Sequence, residues 1–367
     1  MSAPLRVGVV GLGTMGVKYA DLLREGKIAG ATLAAVCNRR PEPRAAYADV
    51  PGFADIKALL KAHAAEALII ATPHYAHTTI AIAALRCGLH VLVDKPIAVH
   101  KADAEKMLAA HRSAQSVFAI MFQMRTDPRF RKIKNLIDAG ALGTLQRMQW
   151  TLTDWFRTDT YYRAGQWRAT WAGEGGGILL NQAPHQLDLL QWLVGQPEQV
   201  RAWCHFGKFH QIEVEDEVTA YLEFPGGATG VFIASTGEAP GTNRLEIVGD
   251  RARLVLEGGH LTLDTNKVPA AKLRATSKEM FVVPQSTRQE FLLEPPAEAH
   301  RAVVQNFVDA IRECAPLIAP AEEGLRSLEL ANAMIISAVT DRAVQLPISS
   351  RRYAAELKKL IAASKQR

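Results

Sequence analysis

The stretch Val7-Gly8-Val9-Val10-Gly11-Leu12-Gly13-Thr14-Met15-Gly16 decides the fold. A short apolar strand runs straight into G-x-G-x-x-G, and a helix pattern follows. The first glycine allows the tight turn, the second lets backbone approach a pyrophosphate, and the third lets helix and strand pack closely. Backbone N–H groups at the helix N-terminus then face an anion. Gly11, Gly13, Thr14, Met15 and Gly16 are therefore expected to bind a dinucleotide.

Outward from that motif, short apolar runs at Leu33–Val36, Leu68–Ala71, Val91–Val93 and Val117–Ile120 read as further strands, apolar throughout because both faces are buried. Helix patterns at Thr79–Arg86 and Lys101–His111 lie between them. The alternation predicts βαβ units and a doubly wound parallel sheet over residues 1–124. The second strand ends in Cys37-Asn38-Arg39-Arg40. An acid there would bond an adenosine ribose and repel a 2′-phosphate. Asn38 with Arg39 and Arg40 admits NAD and leans toward NADP.

The pattern changes after residue 125. Trp150–Thr153, Val218–Phe224 and Thr229–Ala234 alternate apolar and polar, as half-exposed antiparallel strands do. Leu245–Val248 and Arg253–Leu256 read as a hairpin across Gly249-Asp250. Residues 125–367 are thus expected to form an α+β domain with a largely antiparallel open sheet, for substrate binding and oligomerisation. Pro269–Pro296 reads as loop-rich, and Leu325–Val344 as a long helix ended by Leu346-Pro347.

Composition narrows the class. The chain has 367 residues, 48% hydrophobic and 22% charged, with a net charge of +6. No apolar run approaches the ~18 residues of a membrane span, and the N-terminus lacks a signal-peptide pattern. The surplus charge is spread out, apart from Lys358, Lys359, Lys365 and Arg367, so neither nucleic acid nor membrane is an expected partner. Cys37, Cys87, Cys204 and Cys314 are scattered, which argues against zinc and disulfides and for a cytoplasmic setting. His210–Glu217 reads as a solvated or interface loop, and no metal is expected.

Two segments carry the chemistry. Thr72-Pro73-His74-Tyr75-Ala76-His77 and Asp94-Lys95-Pro96 fall at the C-terminal ends of parallel strands, where ligands bind in open α/β sheets. Lys95 there can hydrogen-bond a substrate hydroxyl beside a nicotinamide. Further on, Gly175-Gly176-Gly177 precedes Asn181, His185 and Asp188. If a helix begins at Asn181, these three share one face. His185 suits the hydroxyl proton, because its ordinary pKa of about 6.5 lies near neutrality. Trp155, Arg157, Tyr162, Trp167 and Arg168 mix aromatic faces with cationic rims, as a sugar site does. Gln123 and Arg125 follow the last parallel strand and are expected to reach the cleft.

Together these motifs resemble the Gfo/Idh/MocA family (glucose–fructose oxidoreductase, inositol dehydrogenase, rhizopine catabolism). The likeness runs from Val7 to about Pro347, with Asp94-Lys95-Pro96 standing for the family's Glu-Lys-Pro. It implies a Rossmann domain plus an open-sheet domain, and NAD- or NADP-linked oxidation or reduction of a sugar, glycoside or cyclitol hydroxyl, with C3 of a sugar as one target. It implies a homo-oligomer, dimer or tetramer. It also implies cofactor contacts at Thr72, Pro73, His77, Asp94, Lys95, Pro96 and Gln123. A Lys–Asp–His trio is expected in many members; here Asn181 stands at the Asp position. An amide cannot take a proton, so the work moves to Lys95 and His185.

Three other readings share parts of the pattern. A redox-assisted glycosidase would retain its NAD. A dinucleotide-sensing regulator would keep the fold and lose turnover. The glycine motif also resembles β-hydroxyacid dehydrogenases, but those carry a helical second domain, against the alternating strands here.

Overall fold

The computed structural model describes residues 3–111, 116–165 and 167–364; Lys365 and Arg367 lie outside them. Six strands form one parallel sheet: β1 (Leu5–Val10), β2 (Ala31–Cys37), β3 (Gly52–Phe53), β4 (Ala67–Ile70), β5 (His90–Val93) and β6 (Phe118–Ile120). Their order is β3-β2-β1-β4-β5-β6, a doubly wound sheet whose direction of winding reverses between β1 and β4. Val7, Val9, Leu68, Ile69, Ile70 and Leu92 have no exposure. Burying each such side chain contributes about 1.5–3 kcal/mol, which explains why these strands carry no polar alternation. The helix expected over Thr79–Arg86 starts earlier, at His74. Its first turn therefore lies against the end of β4.

Nine strands form the second sheet: β7 (Leu145–Leu152), β8 (Gln199–Phe206), β9 (Glu215–Glu223), β10 (Thr229–Ser235), β11 (Asn243–Gly249), β12 (Ala252–Glu257), β13 (His260–Asn266), β14 (Ser286–Phe291) and β15 (Val344–Gln345). Their order is β14-β13-β12-β11-β7-β10-β9-β8-β15. Every pair is antiparallel except β7 with β10, which run parallel. One face is covered by helices; Ser337, on the helix Ala321–Thr340, accepts the Ala202 N–H. The other face leaves Trp203, Phe206 and Tyr221 exposed.

The loop-rich segment Pro269–Pro296 also holds the helix Ala270–Thr276 and the edge strand β14. β14 is held by its ladder to β13 and by Arg288 on Asp264, long-range contacts that local composition does not signal. The long helix ends at Thr340, where Asp341 turns left-handed with φ 51°, and Val344 then enters β15 against Val200. The acidic run near residue 215 is not a solvated loop, since Glu215 and Asp216 are 1% and 0% exposed. The chain also returns to the first sheet: Val303, Val304, Phe307 and Val308, on the helix Ala299–Glu313, share a core with Val7, Val9 and Leu92.

Candidate active site

The glycine turn is built for an anion. Gly11 has φ +90°, and a Cβ on Gly16 would lie 1.7 Å from the Gly11 carbonyl oxygen. Only glycine fits either place. A Cβ on Gly13 would meet nothing within 4 Å. The helix Thr14–Arg24 has no side-chain cap and no acid in its first turn, so its N-terminal N–H groups are left for a ligand. Asn38 Oδ1 accepts the Leu12 N–H at 3.2 Å, and Asn38 Nδ2 donates to the Arg40 carbonyl. The end of β2 thereby holds the turn, with Arg39 and Arg40 exposed beside it. At the end of β4, Thr72 Oγ1 is buried without a partner. An open cradle, a free helix end and an orphaned hydroxyl fit a dinucleotide.

Two expected cofactor contacts do other work. His77 is 1% exposed, and its ring nitrogens face the carbonyl oxygens of Pro96 at 2.9 Å and Thr72 at 2.7 Å. It ties together the loops after β4 and β5, and no ring nitrogen is left for a ligand. Burial pushes its pKa down. Two facing carbonyls each call for an N–H, so these contacts oppose the burial and favour the imidazolium. Asp94 Oδ1 accepts the Lys95 N–H at 2.8 Å, and the Tyr19 hydroxyl approaches Asp94 Oδ2 at 3.4 Å. Asp94 thus shapes the turn that presents Lys95.

Lys95 Nζ donates to the Asn181 carbonyl at 2.5 Å, across 86 residues of chain. Burial pushes the Lys95 pKa down, against the opposing pull of Asp94 and Glu174. His185 lies in the first turn of the helix Pro184–Val194. Its Nε2 is 3.1 Å from Gln123 Nε2, and its Nδ1 is buried without a partner. Burial, followed by the Lys95 and His300 charges, holds its pKa well below the ordinary histidine value. His185 and Gln123 are thus in contact, and the Lys95 charge acts on His185 from a third element, with one imidazole nitrogen unspent.

The helical face expected for Asn181, His185 and Asp188 does not form as drawn. The helix begins at Pro184, so Asn181 sits in the preceding turn. There its Nδ2 donates to Glu174, the Lys95 ammonium donates to its carbonyl, and among the described residues its Oδ1 has no partner. Arg125 and Asp188, expected at the substrate, are 4% and 1% exposed and bind each other. Arg125 Nε and Nη2 donate to the two Asp188 oxygens at 2.8 and 2.6 Å, and Nη2 also reaches Glu323 at 2.7 Å. Burial pushes Asp188 up to about 6 against the hydrogen bonds from Arg125, which leaves it ionised at neutral pH. This buried clamp joins the turn after β6 to two helices, so it builds the site wall.

The aromatic and arginine stretch forms one cluster. Arg168 lies over the rings of Trp167 and Tyr161, at 4.6 and 4.8 Å, and Arg157 lies over Tyr161 at 5.2 Å. Trp167 meets His74 edge-on at 5.4 Å. The Tyr162 hydroxyl bonds Thr236, and Trp155 packs half-buried on the core. Among the described residues neither arginine has a carboxylate partner. Arg157 Nε is buried and unpaired. Both guanidinium charges act on Lys95, so the cluster borders the lysine.

Sequence reading missed Glu174 and Glu215. Glu215 Oε1 accepts the N–H groups of Gly177 and Leu179, and burial pushes its carboxyl up to about 7. Glu174 accepts from Ala169 N–H at 2.6 Å and from the Asn181 amide. The one local sign was an acid standing directly before three glycines.

The buried histidines predict an acid-labile fold. Burial lowers the pKa of His74 and His185, and that of His300 to about 4. In the unfolded chain each binds a proton below about pH 6.5. Their contribution is thus full above about pH 6.5 and is lost as pH falls toward the folded values. Thermal melts at stepped pH should show the midpoint falling below about pH 6.5, with a shallower fall in His185→Gln. A flat midpoint down to about pH 5 in the native protein would contradict this assignment.

Comparison with known proteins places the chain among oxidoreductases. A family model described as "Oxidoreductase family, NAD-binding Rossmann fold" matches residues 5–122, and one described as "GFO/IDH/MocA C-terminal domain" matches residues 130–255. The 1-carboxy-3-chloro-3,4-dihydroxycyclohexa-1,5-diene dehydrogenase of Comamonas testosteroni is 31% identical over 229 residues, 61% of this chain and 56% of that enzyme. The myo-inositol 2-dehydrogenase of Thermotoga maritima is 23% identical across 93% of this chain and 98% of its own. The crystal structure of the WlbA dehydrogenase from Bordetella pertussis, in complex with NADH and UDP-GlcNAcA, superposes with a TM-score of 0.79 at 27% identity. It covers 94% of this chain and 100% of that one.

Proposed function

Because the chain belongs to the GFO/IDH/MocA family of oxidoreductases with an NAD-binding Rossmann fold, we propose that it moves hydride between a nicotinamide cofactor and a secondary hydroxyl of a sugar, glycoside or cyclitol. The nearness of the Lys95 charge to His185, together with the unspent His185 Nδ1, carries this reading. When bound, the nicotinamide supplies the hydride chemistry. The chain supplies the proton path. Lys95 donates a hydrogen bond to the reacting oxygen, which favours loss of the hydroxyl proton. His185, held neutral by burial, accepts that proton in oxidation and returns it in reduction. The Gln123 side chain lies 3.1 Å from Nε2 and its Oε1 is buried without a partner; with the amide turned so that Oε1 accepts the Nε2–H, His185 Nδ1 keeps its lone pair for that proton. Gly13, Thr14 and Thr72 would hold the dinucleotide, with Asn38, Arg39 and Arg40 at its adenosine end.

The finer reading concerns the substrate's charge and the cofactor's. Two arginines without carboxylate partners beside Lys95 favour a sugar with an anionic substituent, and the Bordetella relative was crystallised with such a molecule. Oxidation at C3 belongs to this reading, because a 3-keto group acidifies the neighbouring carbon. Asn38 carries no charge to repel a 2′-phosphate, so NADP should serve as well as NAD. The test offers the purified protein each cofactor with neutral pyranoses, uronic acids, sugar-nucleotide acids and cyclitols, and follows reduced nicotinamide. Turnover of an acidic sugar is expected, with KM for it raised in Arg157→Gln and Arg168→Gln while KM for neutral sugars holds. Absence of both cofactor binding and turnover across the panel would refute the function. Equal use of neutral and acidic sugars would refute only the charge preference.

The exposed Trp203, Phe206, Phe209 and Tyr221 on and beside the open sheet face support a homo-oligomer, dimer or tetramer. Light scattering should return a multiple of the chain mass; a monomer at micromolar concentration would end that reading.

A further inference from the structure

We propose that Glu174 is a positioning residue for Lys95 and Asn181: its buried carboxylate turns the Asn181 amide and sets the negative charge that Lys95 faces. The inference rests on Lys95 handling the reacting oxygen, as proposed above. Its test reads Lys95 directly and needs no turnover.

Glu174 is 1% exposed and lies within ion-pair distance of no cation among the described residues. Burial pushes its pKa up, while the hydrogen bonds from Ala169 and Asn181 and the charges of Arg168 and Lys95 hold the ionised form. One oxygen takes the Ala169 N–H at 2.6 Å, which anchors it to backbone. The other takes the Asn181 Nδ2. A reversed amide would set oxygen against oxygen, so this contact fixes which end of Asn181 is spent. The nitrogen is used, and Oδ1 is left to accept. The Asn181 carbonyl meanwhile receives Lys95 Nζ. One residue thus presents two features at the same place: it holds the ammonium through its backbone and offers an amide oxygen through its side chain. A substrate hydroxyl that accepts from Lys95 can donate to Asn181 Oδ1. The second contact exists because Glu174 stands behind it.

The charge argument runs through the same groups. Asp94 from the end of β5 and Glu174 from the turn before the glycines pull the Lys95 pKa up, while burial pushes it down. Arg168 and Arg157 face it from the aromatic cluster and lower it further. His74, His77, His185 and His300 also lie within its field. The variants below alter only positions 174 and 181, so differences among them report those two positions.

The test is the pH dependence of Lys95 acetylation by dilute acetic anhydride, read by peptide mass spectrometry on the whole folded protein without cofactor. In Glu174→Gln the half-labelling pH should fall by about one unit, the usual size of a lost neighbouring opposite charge. In Asn181→Asp it should stay at the native value. Two carboxylates in hydrogen-bond contact do not both ionise, so they share one proton and the net charge seen by Lys95 is unchanged. The double variant Glu174→Gln/Asn181→Asp, which moves the charge forward by one side chain, should restore the native value. An unshifted Glu174→Gln would overturn the proposal. So would a rise of about one unit in Asn181→Asp, because an added acid that ignores Glu174 acts with its full charge. The second arm decides the matter even if Glu174→Gln does not fold.

Discussion

Lys95→Ala should lower kcat by about 10²- to 10⁴-fold, the range for a positioned acid–base group, a larger effect than on the dissociation constant for reduced nicotinamide cofactor. At the middle of that range the loss corresponds to about 4 kcal/mol of transition-state stabilisation. The reason is local. The ammonium is held on the Asn181 carbonyl, and no other described lysine comes from a parallel-strand end beside His185. Alanine leaves the turn intact, because Asp94 grips the Lys95 backbone N–H and needs no side chain there. Lys95→Arg should not rescue turnover, since the planar fork cannot occupy a point-charge site. Single-turnover rates with bound cofactor, set beside fluorescence titration of that cofactor, check both halves. A variant that keeps full turnover removes Lys95 from the mechanism.

Arg125→Met should cost about 3–5 kcal/mol of stability, because it strands the Asp188 carboxylate in the interior. Asp188 is 1% exposed and has Gln191 as its one other side-chain donor among the described residues, at 3.2 Å. Methionine keeps the apolar stem against Trp192, whose ring the guanidinium overlies at 5.2 Å, so the loss isolates the charge. Glu323 is less affected, because Gln191 and Arg326 also bind it. The double variant Arg125→Met/Asp188→Leu should recover most of the loss, as replacement of whole buried pairs by apolar groups often does. Denaturant midpoints of the three proteins measure this. If Arg125→Met unfolds at the native midpoint, the clamp carries no structural weight.

The two predictions separate residues that look alike in the chain. Arg125 and Asp188 stand beside site motifs and carry charge, as Lys95 does. Sequence alone assigns all of them to the substrate. Only burial and partners show that Arg125 and Asp188 are satisfied by each other, while His185 Nδ1 and Asn181 Oδ1 keep unspent valence.

The parallel-sheet half was legible from residue order because its signals are local. A strand buried on both faces must be apolar throughout, and a turn that presses Gly16 onto Gly11 excludes any side chain. Those constraints act within a few residues of where they are written. The site was legible only in part. That Lys95 lies near enough for its charge to act on His185 depends on how two sheets pack across some ninety residues of chain. The start of the helix at Pro184, which moved Asn181 off its face, depends on the fixed φ of proline at the first helical position. Glu174 gave no periodic signal, because a buried acid is recognised by the donors around it, and these come from Ala169 and Asn181 once the turn has closed. Short-range sterics and burial are written along the chain; the pairing of charges and the valence left over arise only when distant segments are brought into contact.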